Sequence, residues 1–129
     1  MEIGTYITNI HDVEPGESVG YSQAFSTAEP MTIATLSVGF ADGIYPKWMR
    51  SQGPVLINGR RTRFLGCCMD QSFIDVTDIP CNIGDKVIMV GKDGDEEITT
   101  WEMEQFCENT FEFLYGTLGH RVERIYKGA

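Results

Sequence analysis

One tyrosine has the chemistry and the setting to move a proton. Tyr21 follows Val19 and Gly20 at the point where a strand pattern ends, a position where a side chain can be held at a rim instead of in the core. A phenol acts as a general acid or base if a nearby cation lowers its ordinary pKa of about 10 towards neutrality. The alternative interpretation is a half-buried strand tyrosine whose hydroxyl has a hydrogen-bond partner.

Three further runs accompany this tyrosine in a fixed order. Residues 38–43 read VGFADG, residues 68–71 read CMDQ and lead into DVTDIP at 75–80, and residues 118–126 read LGHRVERIY. A backbone N–H such as that of Met69 can bind an oxyanion, but any residue type supplies that donor. The residue types alone therefore leave a second interpretation open, in which Met69 belongs to the core and Asp70 to a turn.

Together these runs resemble the C-terminal domain of the alanine racemase family, from about residue 5 to residue 126. That family uses pyridoxal phosphate to interconvert L- and D-amino acids, and it joins an N-terminal (β/α)8 barrel to a C-terminal β-domain. The resemblance implies that Tyr21 exchanges the α-proton on one face of the substrate, opposite a lysine that carries the cofactor. It also implies that the Met69 backbone N–H holds the substrate carboxylate and that Asp70 lines the entrance.

The chain departs from the family pattern near the implied entrance. Phe40 stands where many members have a tyrosine, and Lys47 takes the place of an arginine, which keeps the charge but loses the bidentate fork. Residues 65–68 read LGCC, without the usual arginine before the CMDQ run, and residues 109–112 offer no tyrosine in register for a cofactor-phosphate contact. The substrate is therefore predicted to be alanine or serine.

The resemblance also implies the partners of this chain. A barrel of the family's kind needs roughly 250 residues, so residues 1–129 are predicted to be one β-domain without the N-terminal barrel. In the family, two subunits pack head to tail, and Tyr21 would then act in the active site of the partner subunit. Because the cofactor lysine belongs to the barrel, no cofactor is expected on this chain alone. The alternative is a non-catalytic β-barrel binding or assembly module.

Composition excludes several other classes of function. The chain has 19 acidic and 10 basic residues, and its net charge of −9 disfavours nucleic-acid binding. The basic run RRTR at 60–63 is interpreted as a solvated turn at a hairpin end, with a polyanion contact as the lesser alternative. No stretch approaches the roughly 20 apolar residues of a membrane span, so a cytoplasmic protein without membrane contact is predicted.

The cysteines and histidines predict neither a metal site nor a disulfide. The four cysteines contain no CxxC pair, and they are predicted to be reduced core thiols, as in cytosolic proteins; they are Cys67, Cys68, Cys81 and Cys107. His11 and His120 have no cysteine or carboxylate at ligand spacing. Both histidines are therefore predicted to lie at the surface, near turns.

Strand patterns dominate the chain. Asn58-Gly59 between two apolar runs predicts a hairpin, and Thr99 with Glu102 predicts the start of a short helix. A turn and a short helical piece are expected within residues 41–50. Strands are predicted at 5–10, 19–21, 31–38, 54–57, 63–65, 72–76, 86–90 and 121–126, and a second short helix near 111–115. This pattern favours a closed or partly open β-barrel with one or two short helices near the C-terminus. An apolar face with Phe25, Tyr45 and Trp48 is expected to be exposed.

Overall fold

The fold is mainly β, as predicted. The computed structural model describes residues 2–15, 18–19, 25–26, 29–109, 118–119 and 123. Its strands are β1 (Ile3–Val13), β2 (Ser18–Val19), β3 (Phe25–Ser26), β4 (Met31–Leu36), β5 (Pro54–Ile57), β6 (Arg60–Cys67), β7 (Ser72–Asp75), β8 (Lys86–Asp93) and β9 (Glu96–Ile98). Its helical elements are a 3₁₀ turn (Phe40–Asp42), α1 (Pro46–Arg50) and α2 (Thr100–Cys107).

The strands close into an antiparallel barrel. Around the ring the order is β1, β4, β7, β6, β5 and β8, and β8 pairs with β1 again. The long strand β1 makes this closure because its second half pairs with β4, as at His11 and Ile33, and its first half pairs with β8, as at Thr5 and Val87. The predicted closed barrel is therefore confirmed. The short strand β9 extends β8 outside the ring, and β2 pairs with β3 in a separate two-stranded sheet.

The main core combines residues of the barrel strands with residues of both described helices, and a smaller cluster lies on the other face of β4. Neighbouring residues of a strand point to opposite faces. Ala34 packs in the main core, whereas Ile33 packs in the second cluster with Val13 and Leu65. The strand β4 is therefore buried on both faces. The largest fully buried side chains of the main core include Ile7, Leu36, Met49, Leu56, Ile57, Phe64, Ile74, Met89, Ile98 and Met103.

The predicted hairpin at Asn58-Gly59 is confirmed. Asn58 and Gly59 have φ values of 49° and 77°, so both central positions of the turn are left-handed. The Asn58 side chain donates to the Pro80 carbonyl at 2.9 Å and to Asp85 Oδ2 at 3.1 Å, and the Asn82 N–H donates to the same carboxylate oxygen. The Asn58 bond, and then the Asn82 bond, lower the pKa of Asp85. The ionised Asp85 carboxylate therefore stabilises the fold above about pH 4, and this contribution to the free energy of unfolding is lost as the pH falls further.

The basic run at 60–63 is not a turn, which corrects the prediction. It begins strand β6, and the turn is at the two residues before it. The Arg61 guanidinium binds the Glu102 carboxylate, Glu96 Oε1 at 3.3 Å and the Glu97 carbonyl at 2.7 Å. The contacts with Glu102, and then those with Glu96, raise the pKa of Arg61. Together the three contacts connect β6 to β9 and α2. Because Arg61 is held by carboxylates, the polyanion interpretation loses its main support.

Both described helices lie where the sequence predicted helical structure. Thr99 caps α2, since its hydroxyl accepts the Glu102 N–H at 3.0 Å. Trp48 of α1 is buried and donates to the Pro54 carbonyl at 3.1 Å, so its predicted exposure is wrong. The helix predicted near 111–115 and the strand predicted at 121–126 lie outside the described residues. Nowhere in the described ranges is a helix long and apolar enough to cross a membrane.

The four cysteines are free thiols, and three of them belong to the core or pack against it. Cys67 and Cys107 are buried, and Cys81 is partly buried against the core. Cys68 is partly exposed and belongs to neither core cluster, so the core prediction is wrong for Cys68. Burial raises the pKa of Cys107 to about 11. His11 is exposed, as predicted, although it lies within β1. The described residues contain no group of His, Cys, Asp and Glu side chains suited to a metal ion.

The thiols should therefore differ in reactivity. During a short iodoacetamide pulse at pH 8, we expect Cys68 to be alkylated and Cys107 to stay unmodified, because the thiolate is the reactive form and burial keeps Cys107 protonated. Cys81 should react more slowly than Cys68, since burial and the Asp85 charge raise its pKa. Peptide mass spectrometry of the four sites measures this. The same pulse in denaturant should modify all four, and alkylation of Cys107 as fast as Cys81 in the folded chain would contradict the prediction.

Candidate functional site

Two of the sequence runs meet at one rim of the barrel. The 3₁₀ turn follows β4, and the loop at residues 68–71 connects β6 to β7. Since β4 and β6 both pair with β7 through Ser72, the two loops leave the barrel side by side. The Phe40 N–H donates to the Cys68 carbonyl at 3.3 Å, and the Ala41 N–H donates to the Met69 carbonyl at 2.8 Å. The structure thus joins the runs VGFADG and CMDQ directly.

Gly39 permits this close contact. Its φ of −143° is open to any residue, so the requirement for glycine comes from space and not from backbone conformation. A Cβ atom at this position would lie 2.5 Å from both the Cys68 and the Met69 carbonyl oxygens. Any larger residue would force the two loops apart.

The buried side chain of Asp42 stabilises the 3₁₀ turn. It is only 2 % exposed, and its Oδ2 accepts the Gly39 N–H at 3.0 Å. Its own N–H donates to the Gly39 carbonyl at 3.1 Å, and its carbonyl accepts the Gly119 N–H at 2.6 Å. The sequence analysis did not single out this residue. Its signal was the acidic side chain three residues after Gly39, which is the spacing of a capping box.

An open depression of about 520 Å³ lies over the joined loops, lined by Ala41, Cys68, Met69, Asp70 and Gln71. Met69 is 59 % exposed, so the interpretation of this residue as part of the core is wrong. The Cys68 N–H donates to the Gln71 carbonyl at 2.7 Å and so connects the two ends of the loop at residues 68–71. The loop therefore presents Met69 and Asp70 outward.

The same loop presents two backbone donors. The carbonyls of Cys68 and Met69 both accept hydrogen bonds from the 3₁₀ turn, and no peptide bond of the described residues is cis. In a planar trans peptide the N–H points opposite to the C=O. The N–H groups of Met69 and Asp70 therefore point away from the turn, and neither has an acceptor among the described residues. Successive free N–H groups of this kind form an anion-binding concavity.

The two predicted entrance residues lie on adjoining elements. Phe40 belongs to the 3₁₀ turn, and its ring lies 5.4 Å below the Arg50 guanidinium carbon, within the range of a cation–π contact. Lys47 is in α1, and its ammonium lies 3.2 Å from Glu108 Oε2 at the end of α2. Arg50 is thus held next to the joined loops, whereas the Lys47 ammonium lies at the end of α2.

Tyr21 lies outside the described residues. It belongs to the segment between β2 and β3, which pair with each other through Val19 and Phe25. The described strand β2 ends at Val19, two residues before the tyrosine. The role of Tyr21 stays a prediction from the sequence.

The family of the chain follows from its match to the description "Alanine racemase, C-terminal domain", which covers residues 1–126. The chain belongs to this family. It is 38% identical over 126 residues to an alanine racemase of Halothermothrix orenii, which covers 95% of this chain and 33% of that protein. It is also 36% identical over 124 residues to a broad specificity amino-acid racemase of Vibrio vulnificus, covering 95% of this chain and 30% of that protein.

Solved structures of the alanine racemase family share the fold. The alanine racemase of E. faecalis superposes with a TM-score of 0.89 at 29% identity, over 98% of this chain and 33% of that one. The alanine racemase of Bartonella henselae with covalently bound pyridoxal phosphate gives 0.85 at 28% identity, over 98% and 34%. This chain therefore spans about a third of the length of the relatives that it matches.

Proposed function

We propose that this domain belongs to a pyridoxal-phosphate-dependent racemase that interconverts L- and D-alanine or L- and D-serine. The observation that carries the proposal is the pair of outward N–H groups at Met69 and Asp70, presented over an open depression in a domain of this family. A backbone N–H donating to a carboxylate makes a charge-assisted hydrogen bond, one of the stronger kinds. The substrate feature that this loop would recognise is the α-carboxylate.

Tyr21 is proposed to carry the chemical step of this domain. As the phenolate, it would take the proton from the α-carbon of the amino acid on one face and become the phenol, and in the reverse reaction the phenol would give a proton back to that face. Inversion at that carbon needs a second proton-transfer group on the opposite face. That group would come from the barrel domain of a second subunit, in a head-to-tail homodimer in the cytoplasm.

The described lysines do not fit the residue that carries pyridoxal phosphate. Such a lysine needs a lowered pKa to attack a carbonyl. The ammonium of Lys86 binds the Glu2 carboxylate, which raises its pKa, and Lys47 is paired with Glu108. Lys92 is exposed on β8. We therefore propose that the cofactor is bound by an N-terminal barrel domain and that residues 1–129 form the separate C-terminal domain.

The proposal includes two alternative substrates, alanine and serine. Phe40 lacks the hydroxyl that many members place near the entrance, and Lys47 replaces an arginine there. The relatives named above carry both narrow and broad descriptions, an alanine racemase and a broad specificity amino-acid racemase. Turnover of both amino acids, compared as kcat/KM, decides between them.

The full-length protein and this chain alone should behave differently with the cofactor. With pyridoxal phosphate, we expect the full-length protein to interconvert the enantiomers of alanine or serine, measured by chiral chromatography. Borohydride should fix its cofactor to a lysine outside residues 1–129, whereas this chain alone should yield no specific adduct, because its described lysines do not fit the role. Full-length protein that binds no cofactor and racemises neither amino acid would favour the non-catalytic assembly module.

A further inference from the structure

We propose that Asp42 is a positioning residue for the substrate carboxylate, and that it acts on the Met69 N–H through the 3₁₀ turn. The inference rests on the proposed function, because it assigns a further residue to the same site. Asp42 does not line the depression, and its carboxylate is buried beneath the turn. Its effect on a ligand must therefore pass through the backbone.

The first step of this path joins the carboxylate to the turn. Asp42 Oδ2 accepts the Gly39 N–H at 3.0 Å, and the Asp42 N–H donates to the Gly39 carbonyl at 3.1 Å. These two bonds fix the backbone on both sides of Phe40 and Ala41. Gly43, at φ 88°, ends the turn, and its N–H donates to the Phe40 carbonyl at 3.1 Å. The orientations of the Phe40 and Ala41 N–H groups are thereby set.

The second step joins the turn to the donors. The Phe40 N–H holds the Cys68 carbonyl, which fixes the peptide plane that contains the Met69 N–H. The Ala41 N–H holds the Met69 carbonyl at 2.8 Å, which fixes the plane that contains the Asp70 N–H. The 3₁₀ turn therefore fixes two consecutive peptide planes through their carbonyls, while the N–H groups of Met69 and Asp70 point away from the turn. A change of turn geometry would rotate these planes and misalign both donors.

The carboxylate of the substrate is not a reacting group, so its contacts with the protein are equal in the ground state and the transition state. Loss of such uniform binding raises KM and leaves kcat nearly unchanged. A general loss of folded enzyme would instead lower kcat and leave KM alone. The ratio of the two effects separates positioning from simple destabilisation.

The experiment compares four variants of the full-length holoenzyme. Asp42→Ala removes the acceptor of the Gly39 N–H. Asp42→Asn keeps an acceptor oxygen on a side chain of the same length. Gly39→Ala leaves Asp42 in place but puts a Cβ within 2.5 Å of the Cys68 and Met69 carbonyl oxygens. Thr99→Ala is the control, because it removes the cap of α2, a stabilising contact outside the joined loops. The readouts are kcat and KM for alanine and the inhibition constant of acetate as a bare carboxylate.

In Asp42→Ala and Gly39→Ala, we expect KM and the acetate inhibition constant to rise about 10- to 100-fold, the size expected for a lost bond to a charged group, with kcat changed less than about threefold. Asp42→Asn should stay within about threefold of the parental constants, since it retains the acceptor. Thr99→Ala should lower the melting temperature and leave both constants unchanged. If Asp42→Ala does not fold, Gly39→Ala tests the same path.

An unchanged acetate constant in Asp42→Ala and Gly39→Ala would overturn the inference, and so would Asp42→Asn behaving like Asp42→Ala. A parental protein that racemises no amino acid would overturn the proposed function instead. An active parental enzyme with insensitive variants would overturn only the role of Asp42. The two failures are therefore distinguishable.

Discussion

Replacing Tyr21 with phenylalanine should slow racemisation by the full-length protein by about a hundred- to ten-thousand-fold, the usual loss when a general acid or base is removed. The substitution removes only a hydroxyl, so the melting temperature should change little. Steady-state rates in both directions and a thermal melt measure the two effects. The loss belongs to proton transfer and should appear in kcat as well as in kcat/KM.

The defect of Tyr21→Phe should also be unequal between the two enantiomers. The L-enantiomer would present its α-hydrogen to the tyrosine, and the D-enantiomer would present its α-hydrogen to the lysine on the other face. Exchange of the α-hydrogen with solvent deuterium should therefore fall more for the L-form. Parental racemisation rates with Tyr21→Phe would show that this residue is only a structural tyrosine.

The second large effect is expected in stability. Phe64 is fully buried in the main core, and Phe64→Ala should lower the free energy of unfolding by about 3–5 kcal/mol, from lost burial and the cavity left behind. A small domain has a total stability of about 5–15 kcal/mol, so this variant should lose a large share of it. Urea unfolding followed by circular dichroism measures the change.

Trp101 provides the matched control for Phe64. It is also a large aromatic residue, but it is 68 % exposed on the surface of α2. Its replacement by alanine should change the free energy of unfolding by less than about 0.5 kcal/mol, as for most surface substitutions. Equal losses for the two alanine variants would contradict the assignment of Phe64 to the core.

The local elements of the fold could be predicted from the sequence because short-range chemistry fixes them. Asn58-Gly59 tolerates two positive φ values, and Thr99 supplies an acceptor for a helix N-terminus; both features have the predicted form. The closed barrel was also predicted, from many short strands with regular turns. Its strand order was not, because pairing between β1 and β8 depends on contacts 84 residues apart, such as Glu2 to Lys86.

Tertiary contacts explain where the sequence predictions were wrong. Trp48 lies in a short helix whose exposure could not be judged without its partner at Pro54. Met69 is apolar, yet its carbonyl is held by the Ala41 N–H and its side chain is exposed. The strand β9 was missed because it is three residues long and mostly charged, and it pairs with β8 through a turn at Gly94. Strand propensity is weak evidence for so short a strand.

The candidate site was predicted in part. The sequence placed Met69 and Asp70 at a functional loop through family resemblance, and the structure brings this loop to the turn that contains Phe40. Asp42 and Gly39 escaped notice as functional residues, because a Gly-Asp spacing is common in turns. Their importance depends on the approach of a second loop, which only the folded barrel reveals.

Closure of the barrel by its first strand has a consequence for how the chain folds. β1 cannot pair on both sides until β8 is available, which places a native contact between the beginning of the chain and a strand that starts at Lys86. Contacts of such high sequence separation slow folding, because the entropy of closing a long loop is lost before the contact forms. During synthesis, β1 would wait with an unpaired edge, and unpaired edges are sites of aggregation. A folding catalyst or an adjacent folded domain would be most valuable at this stage.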